Sequence, residues 1–227
     1  MTDRKKISLG AELNILRAGV LGSNDGILTV AGVVFGVAAA TSSPFAVFIA
    51  GISDLLAVAF SMASGEYVSV STQKDTEKAA VETQKRRLIE EPEEERQMVI
   101  AAYLEKGVSK SLAIKAADNI MENNALEGTV KERYGIEIGD YVNPWDAVFS
   151  SMLAASLGGV FPLLSMTFLP ENIKMWGTVV VVTFALALTG FISASLGSAR
   201  KGPAILRNVI AGLVTMLVTY YIGLLFA

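Results

Sequence analysis

Asp25 and Asp54 each fall inside an apolar run, residues 18–40 and 44–65. A carboxylate at bilayer depth is costly, so it marks a functional site by default. Two such acids on consecutive candidate spans suggest a path for a cation. After Asp54 the chain reads Ser61-Met62-Ala63-Ser64-Gly65-Glu66-Tyr67. On a helix, Met62 lies about 12 Å from Asp54 along the axis, and Glu66 about 6 Å further. Met62 and Glu66 are four apart and share a face. The result is a ladder of oxygen ligands with one thioether. Carboxylates suit hard divalent cations, and a thioether adds a softness that magnesium and calcium do not use, so ferrous iron or manganese is the natural compromise. A buried carboxylate can also exchange a proton for a metal ion, which is the physical core of an antiporter.

Each of these residues has a plainer reading. Asn24-Asp25-Gly26 is a turn-forming string, so Asp25 could cap a broken helix. Asp54 could pair with a Ser or Thr across helices. Glu66 could lie at the membrane interface, and Met62 could fill space in the core. A second acidic group, Glu90-Glu91-Pro92-Glu93-Glu94-Glu95, could bind metal, but negative charge at a helix N-terminus is favourable without any.

These residues must be positioned by membrane helices. The chain has 227 residues, 52% hydrophobic and 18% charged. Its mean hydropathy is +0.49. Soluble domains carry more charge, about 25%. The charge is also concentrated: residues 67–144 hold 15 of the 22 acids and 11 of the 19 Lys and Arg. The chain therefore reads as a membrane part with a polar, acidic insert. Five stretches reach the roughly 20 residues a span needs: 18–41, 44–66, 146–169, 175–198 and 204–226. The predicted fold class is an all-α integral membrane protein with five transmembrane helices and a helical cytoplasmic domain inserted between the second and third. The predicted organisation is an amphipathic segment over 1–17, two spans over 18–66, the insert over 67–144 and three spans over 145–227. Pro162 predicts a kink in span three, and Gly158-Gly159 a close approach of another backbone.

Lys and Arg set the orientation. In a five-span arrangement 18 of the 19 fall on one side, and Lys174 alone falls on the other. The N-terminus and the insert are thus expected in the cytoplasm, with the C-terminus opposite, in a cell inner (plasma) membrane. The first residues show no continuous apolar core with a small-residue cleavage site, so no cleaved signal is expected. In the insert, helices are predicted over 66–91, 93–106, from a Ser109 cap to Asn123 or Asn124, and over 125–134.

Composition excludes other classes. The chain has no Cys and no His. Disulfides, His/Cys zinc sites and a Ser-His-Asp triad are therefore ruled out. A net charge of −3 gives no basis for a nucleic-acid partner. An enzyme would have to use Asp25 with Asp54 as an intramembrane aspartyl pair, but the Tyr-Asp and Gly-x-Gly-Asp strings of such proteases are absent. No enzymatic activity and no prosthetic group are expected. A membrane-anchored metal sensor or buffer is the alternative to a transporter.

The strings SNDGILTVAGVVFGV and AFSMASGEYVSVSTQKD resemble the first two spans of the vacuolar iron transporter family. NPWDAVFSSMLAASLGGVFPLL resembles its third span, and the insert with AAYLEKGVSKSLA is similar to its cytoplasmic domain. The resemblance covers essentially the whole chain and suggests a bacterial-type member. It implies a five-span homodimer with a metal path between subunits, exporting ferrous iron or manganese from the cytoplasm in exchange for protons. Asp25, Asp54 and Met62 match the family's membrane ligands, with Asp at position 54 where Glu is frequent, and Glu66 lies in the matching Gly-Glu-Tyr string. In the insert the family carries two Glu-x-x-Glu pairs, then a methionine and a further glutamate. Without gaps the first pair falls on Gln84 and Arg87, which cannot replace it. The second falls on Glu95 and Met98, and a shifted register offers Glu91 and Glu94. Met121 and Glu122 match the later ligands. The resemblance thus implies a feeding site of Glu91, Glu94, Glu95 and Met98, or else a reduced or purely structural insert.

Overall fold

The computed structural model describes residues 9–139 and 141–227. These form eight α-helices: α1 Leu9–Ala40, α2 Pro44–Glu90, α3 Pro92–Glu105, α4 Lys110–Asn123, α5 Ala125–Tyr134, α6 Pro144–Phe168, α7 Lys174–Leu196 and α8 Lys201–Leu224. No strand occurs among the described residues. Five helices, α1, α2, α6, α7 and α8, are long and apolar enough to cross a membrane. Prolines and glycines mark the boundaries. Pro44 and Pro144 lie in the first turns of α2 and α6, and Pro92 opens α3, where its missing N–H costs nothing. Gly135, at φ 68°, ends α5 in the left-handed conformation.

The chain divides into two units. The first runs to Val68 and resumes at Asn143. In it α1 packs on α6, α7 and α8. Ile27, Val30, Val34 and Phe35 of α1 meet Val58 of α2, Leu163 of α6, Leu186 of α7 and Met216 of α8 in one core. The outer faces are also apolar: Phe60, Leu157, Phe184 and Leu217 are all exposed. Hydrocarbon, not water, suits such a surface.

The α1–α6 seam is built on small residues. A Cβ at Gly26 would lie 2.1 Å from the Ala155 carbonyl oxygen. A Cβ at Gly158 would lie 2.4 Å from the Ser23 carbonyl oxygen, so the expected close approach at Gly158 is present and its partner is α1. Asn24-Asp25-Gly26 lies inside unbroken α1, so Asp25 does not cap a broken helix. Tertiary packing against Ala155 overrides the local turn preference. α6 continues through Pro162 as one helix, with the Ser165 hydroxyl donating to the carbonyls of Phe161 and Pro162.

The amphipathic segment expected over 1–17 lies partly outside the described residues. From Leu9 on it is already α1, continuous with the first span.

The second unit is Ser69–Val142. It holds the later part of α2 with α3, α4 and α5. Val99 and Ile100 of α3 pack on Ala113 and Ala117 of α4, flanked by Met98 and Ile120. Ser109 occupies the position before α4, but its side chain makes no capping hydrogen bond.

Candidate functional site

Asp25 of α1 and Asp54 of α2 both lie in the first unit. Both are half-buried. The Thr29 hydroxyl and the Asp25 charge are near enough to act on the Asp54 carboxylate. Thr29 itself donates to the Asp25 carbonyl oxygen at 3.0 Å, the one-turn back-bond open to a helical threonine. Asp54 Oδ2 is buried without a hydrogen-bond partner. A buried acceptor left unmatched is costly, and a carboxylate oxygen in that state is suited to a proton or a cation. The α1–α6 seam fixes the backbone of this turn of α1, because Gly26 follows Asp25 and can accept no side chain.

Met62 is half-buried and packs against the membrane core. Glu66 is 5% exposed and accepts from Arg17 of α1 at 3.4 Å. Arg17 also donates to Asn14 at 2.8 Å. Neither Thr29 nor Arg17 is marked as a site residue by local sequence. Arg17 reads there as one of the orienting cations, and Thr29 as part of an apolar run.

The second unit arranges its acids differently from a metal centre. Glu91 and Glu94 are exposed, as is Glu122, while Met98 and Met121 are half-buried. Among the described residues no three Asp or Glu side chains converge closely enough to hold a metal ion. Glu95 is 1% exposed, and arginines and an amide surround it. Arg133 Nη2 lies 2.7 Å from both carboxylate oxygens. Gln84 Nε2 donates to Oε2 at 2.5 Å, and Arg87 Nη1 lies 3.8 Å from Oε1. Burial pushes the Glu95 carboxyl up, but the hydrogen bonds from Arg133 and Gln84 and the charges of Arg133 and Arg87 outweigh it. The group is held below its ordinary value of 4.5. The positions aligned with the family's glutamate pairs therefore do meet in space at Gln84, Arg87 and Glu95, but with a carboxamide and a guanidinium in place of carboxylates. Arg133, 38 positions from Glu95, carries no local signal. The need for a buried cation beside Glu95 is the only pointer to it.

Residues 16–224 match the VIT family. A vacuolar iron transporter of Acanthamoeba castellanii is 34% identical over 224 residues, covering 98% of this chain and 82% of that protein. Vacuolar iron transporter homolog 2.1 of Arabidopsis thaliana is 34% identical over 206 residues, covering 90% and 78%. Vacuolar iron transporter homolog 5 of Oryza sativa subsp. japonica is 31% identical over 222 residues, covering 97% and 85%. With the match spanning all five membrane-length helices, the chain belongs to the VIT family.

Proposed function

We propose that this protein transports divalent iron or manganese across a membrane, exporting it from the cytoplasm in exchange for protons. The observation that carries the reading is Asp54 on a membrane-length helix with Oδ2 buried and unmatched, near enough to Asp25 of α1 to feel its charge. Two carboxylates give a divalent cation two anionic ligands, and Met62, about two turns along α2, offers a soft ligand at a separate step of the path. When the metal leaves, protons are the natural replacement, because neighbouring carboxylates in a poorly solvated site resist being charged together. Membership of a family with relatives named vacuolar iron transporters supports the cargo.

Glu66 stands where the apolar stretch of α2 ends, paired to Arg17. An arriving cation competes with that guanidinium for the carboxylate, which makes Glu66 an entrance ligand. A homodimer supplies the path, as the resemblance implies. The insert is a helical scaffold in the cytoplasm. Its exposed Glu91 and Glu94 attract cations loosely, and its buried Glu95 is reserved for Arg133. The sensor alternative, which needs a closed metal site in the insert, draws no support from that arrangement.

The test is flux into proteoliposomes holding a pH dye, with ferrous iron and manganese offered separately to wild type and Asp25→Asn. Metal uptake with a coupled pH change, lost in the variant, is the expected result. Metal binding without flux in wild type would overturn the transporter reading. Normal flux in Asp25→Asn would overturn the site.

A further inference from the structure

The basic end of the membrane unit carries a groove that the transport reading does not use. It has a volume of about 530 Å³ and lies between α1, the end of α7 and the start of α8. Leu13, Leu16 and Val20 give its lining apolar surface, and Arg17, Arg207 and Asn208 give it polar and charged groups. α7 and α8 contain no Asp or Glu, and among the described residues Arg207 makes no ion pair. Arg17 has one acidic partner, Glu66 of α2, at 3.4 Å, and its side chain is still 57% exposed. Two guanidinium groups thus line one groove beside an apolar surface, and among the described residues only Arg17 is paired to a carboxylate.

We infer that this groove binds an anionic phospholipid, with Arg17 and Arg207 holding its phosphate and the leucines taking the start of an acyl chain. Guanidinium groups match phosphate oxygens with paired, charge-assisted hydrogen bonds. Basic pockets between spans on the cytoplasmic side suit anionic headgroups. The double character of the lining selects the lipid source of phosphate, because a free phosphate ion leaves the apolar surface in contact with water. A soluble acidic segment would have to enter between helices whose outer faces are apolar. The phosphate also competes with Glu66 for Arg17. That consequence rests on the entrance role proposed for Glu66, whereas the binding site itself does not.

The test is native mass spectrometry of the full-length protein in detergent, with phosphatidylglycerol and phosphatidylcholine offered at equal concentration. Wild type is expected to retain phosphatidylglycerol in preference. Arg207→Gln should weaken that retention about tenfold, the loss of one charge-assisted contact, and Arg207→Lys should recover part of it. Arg200→Gln removes the same charge outside the groove and should leave retention unchanged. Millimolar inorganic phosphate should not displace the lipid. Equal retention of the two lipids, equal loss in Arg200→Gln and Arg207→Gln, or full displacement by inorganic phosphate would each overturn the proposal. None of these readouts depends on metal flux, so a failed transporter reading leaves the site standing or falling separately.

Discussion

Arg133 places one guanidinium nitrogen 2.7 Å from both carboxylate oxygens of Glu95, a side chain 1% exposed. An internal cation thus neutralises Glu95, the one fully buried acid among the described residues of the second unit. A carboxylate in that setting needs a cation and hydrogen bonds to be tolerated at all. Here the chain supplies them from α5 and from the later part of α2, through Gln84 and Arg87. The second unit thus balances this buried charge with its own side chains.

Breaking this pair from one side is expected to be expensive. Arg133→Ala leaves a buried carboxylate with only Gln84 and the distant Arg87, and removing one partner of a buried pair costs about 3–5 kcal/mol. Replacing both partners, as Glu95→Leu with Arg133→Met, should be far milder, since an apolar pair of similar volume is frequently neutral. Hydrogen exchange across α3 and α5 of the full-length protein reads the difference. Equal protection loss in the single and the double variant would show that the ion pair is incidental to the packing of this unit.

The same pair sets an acid limit. The Glu95 carboxyl is held below its ordinary 4.5, so the folded state favours the ionised form. Its contribution is fully present above about 4.5 and is lost as pH falls through the lower, folded value. Protection of α3 should thus decline below about pH 4.5, and Glu95→Gln should flatten that decline. A stability profile for the variant that falls as steeply as wild type over this range would place the acid sensitivity elsewhere. Exposed Glu93 shifts in the same direction, through its hydrogen bonds from Gln97 and Arg96.

Gly26 and Gly158 should tolerate no side chain. A Cβ at Gly26 would meet the Ala155 carbonyl at 2.1 Å, and one at Gly158 would meet the Ser23 carbonyl at 2.4 Å. In both cases the obstacle is backbone, which cannot rotate away. Gly26→Ala and Gly158→Ala should each force α1 from α6 and lower the yield of monodisperse protein in size-exclusion chromatography. Gly65→Ala is the matched control, because a Cβ there meets nothing within 4 Å. Were Gly158→Ala to behave like Gly65→Ala, the tight seam would not describe the protein in solution.

Much of the fold was legible because its punctuation is local. Pro44, Pro92, Gly135 and Pro144 each stand within a residue or two of a helix end, and the apolar spans declare their own length. Gly158-Gly159 signals a close approach without naming the partner, since Ser23 and Gly26 of α1 are more than 130 positions away. Asn24-Asp25-Gly26 misled as a possible break because tertiary packing decides it. Asp25 and Asp54 stand out in the sequence because each interrupts an apolar run. The Arg133–Glu95 and Arg17–Glu66 pairs do not, because a long cationic side chain finds its partner across helices and leaves no periodic trace.

Met62 separates ligand from filler. It is half-buried against the membrane core, where a thioether and an isobutyl group occupy similar space. Met62→Leu should therefore change stability by less than about 1.5 kcal/mol. If the sulfur ligates cargo, the variant loses the soft contact while keeping both carboxylates. Flux of ferrous iron and manganese should then fall by about tenfold or more, and discrimination against magnesium, which gains nothing from a thioether, should narrow. Flux in proteoliposomes measured for all three ions decides the matter. Unchanged iron and manganese flux in a variant of wild-type stability would reduce Met62 to packing and leave the carboxylates of Asp25 and Asp54 as the whole membrane site.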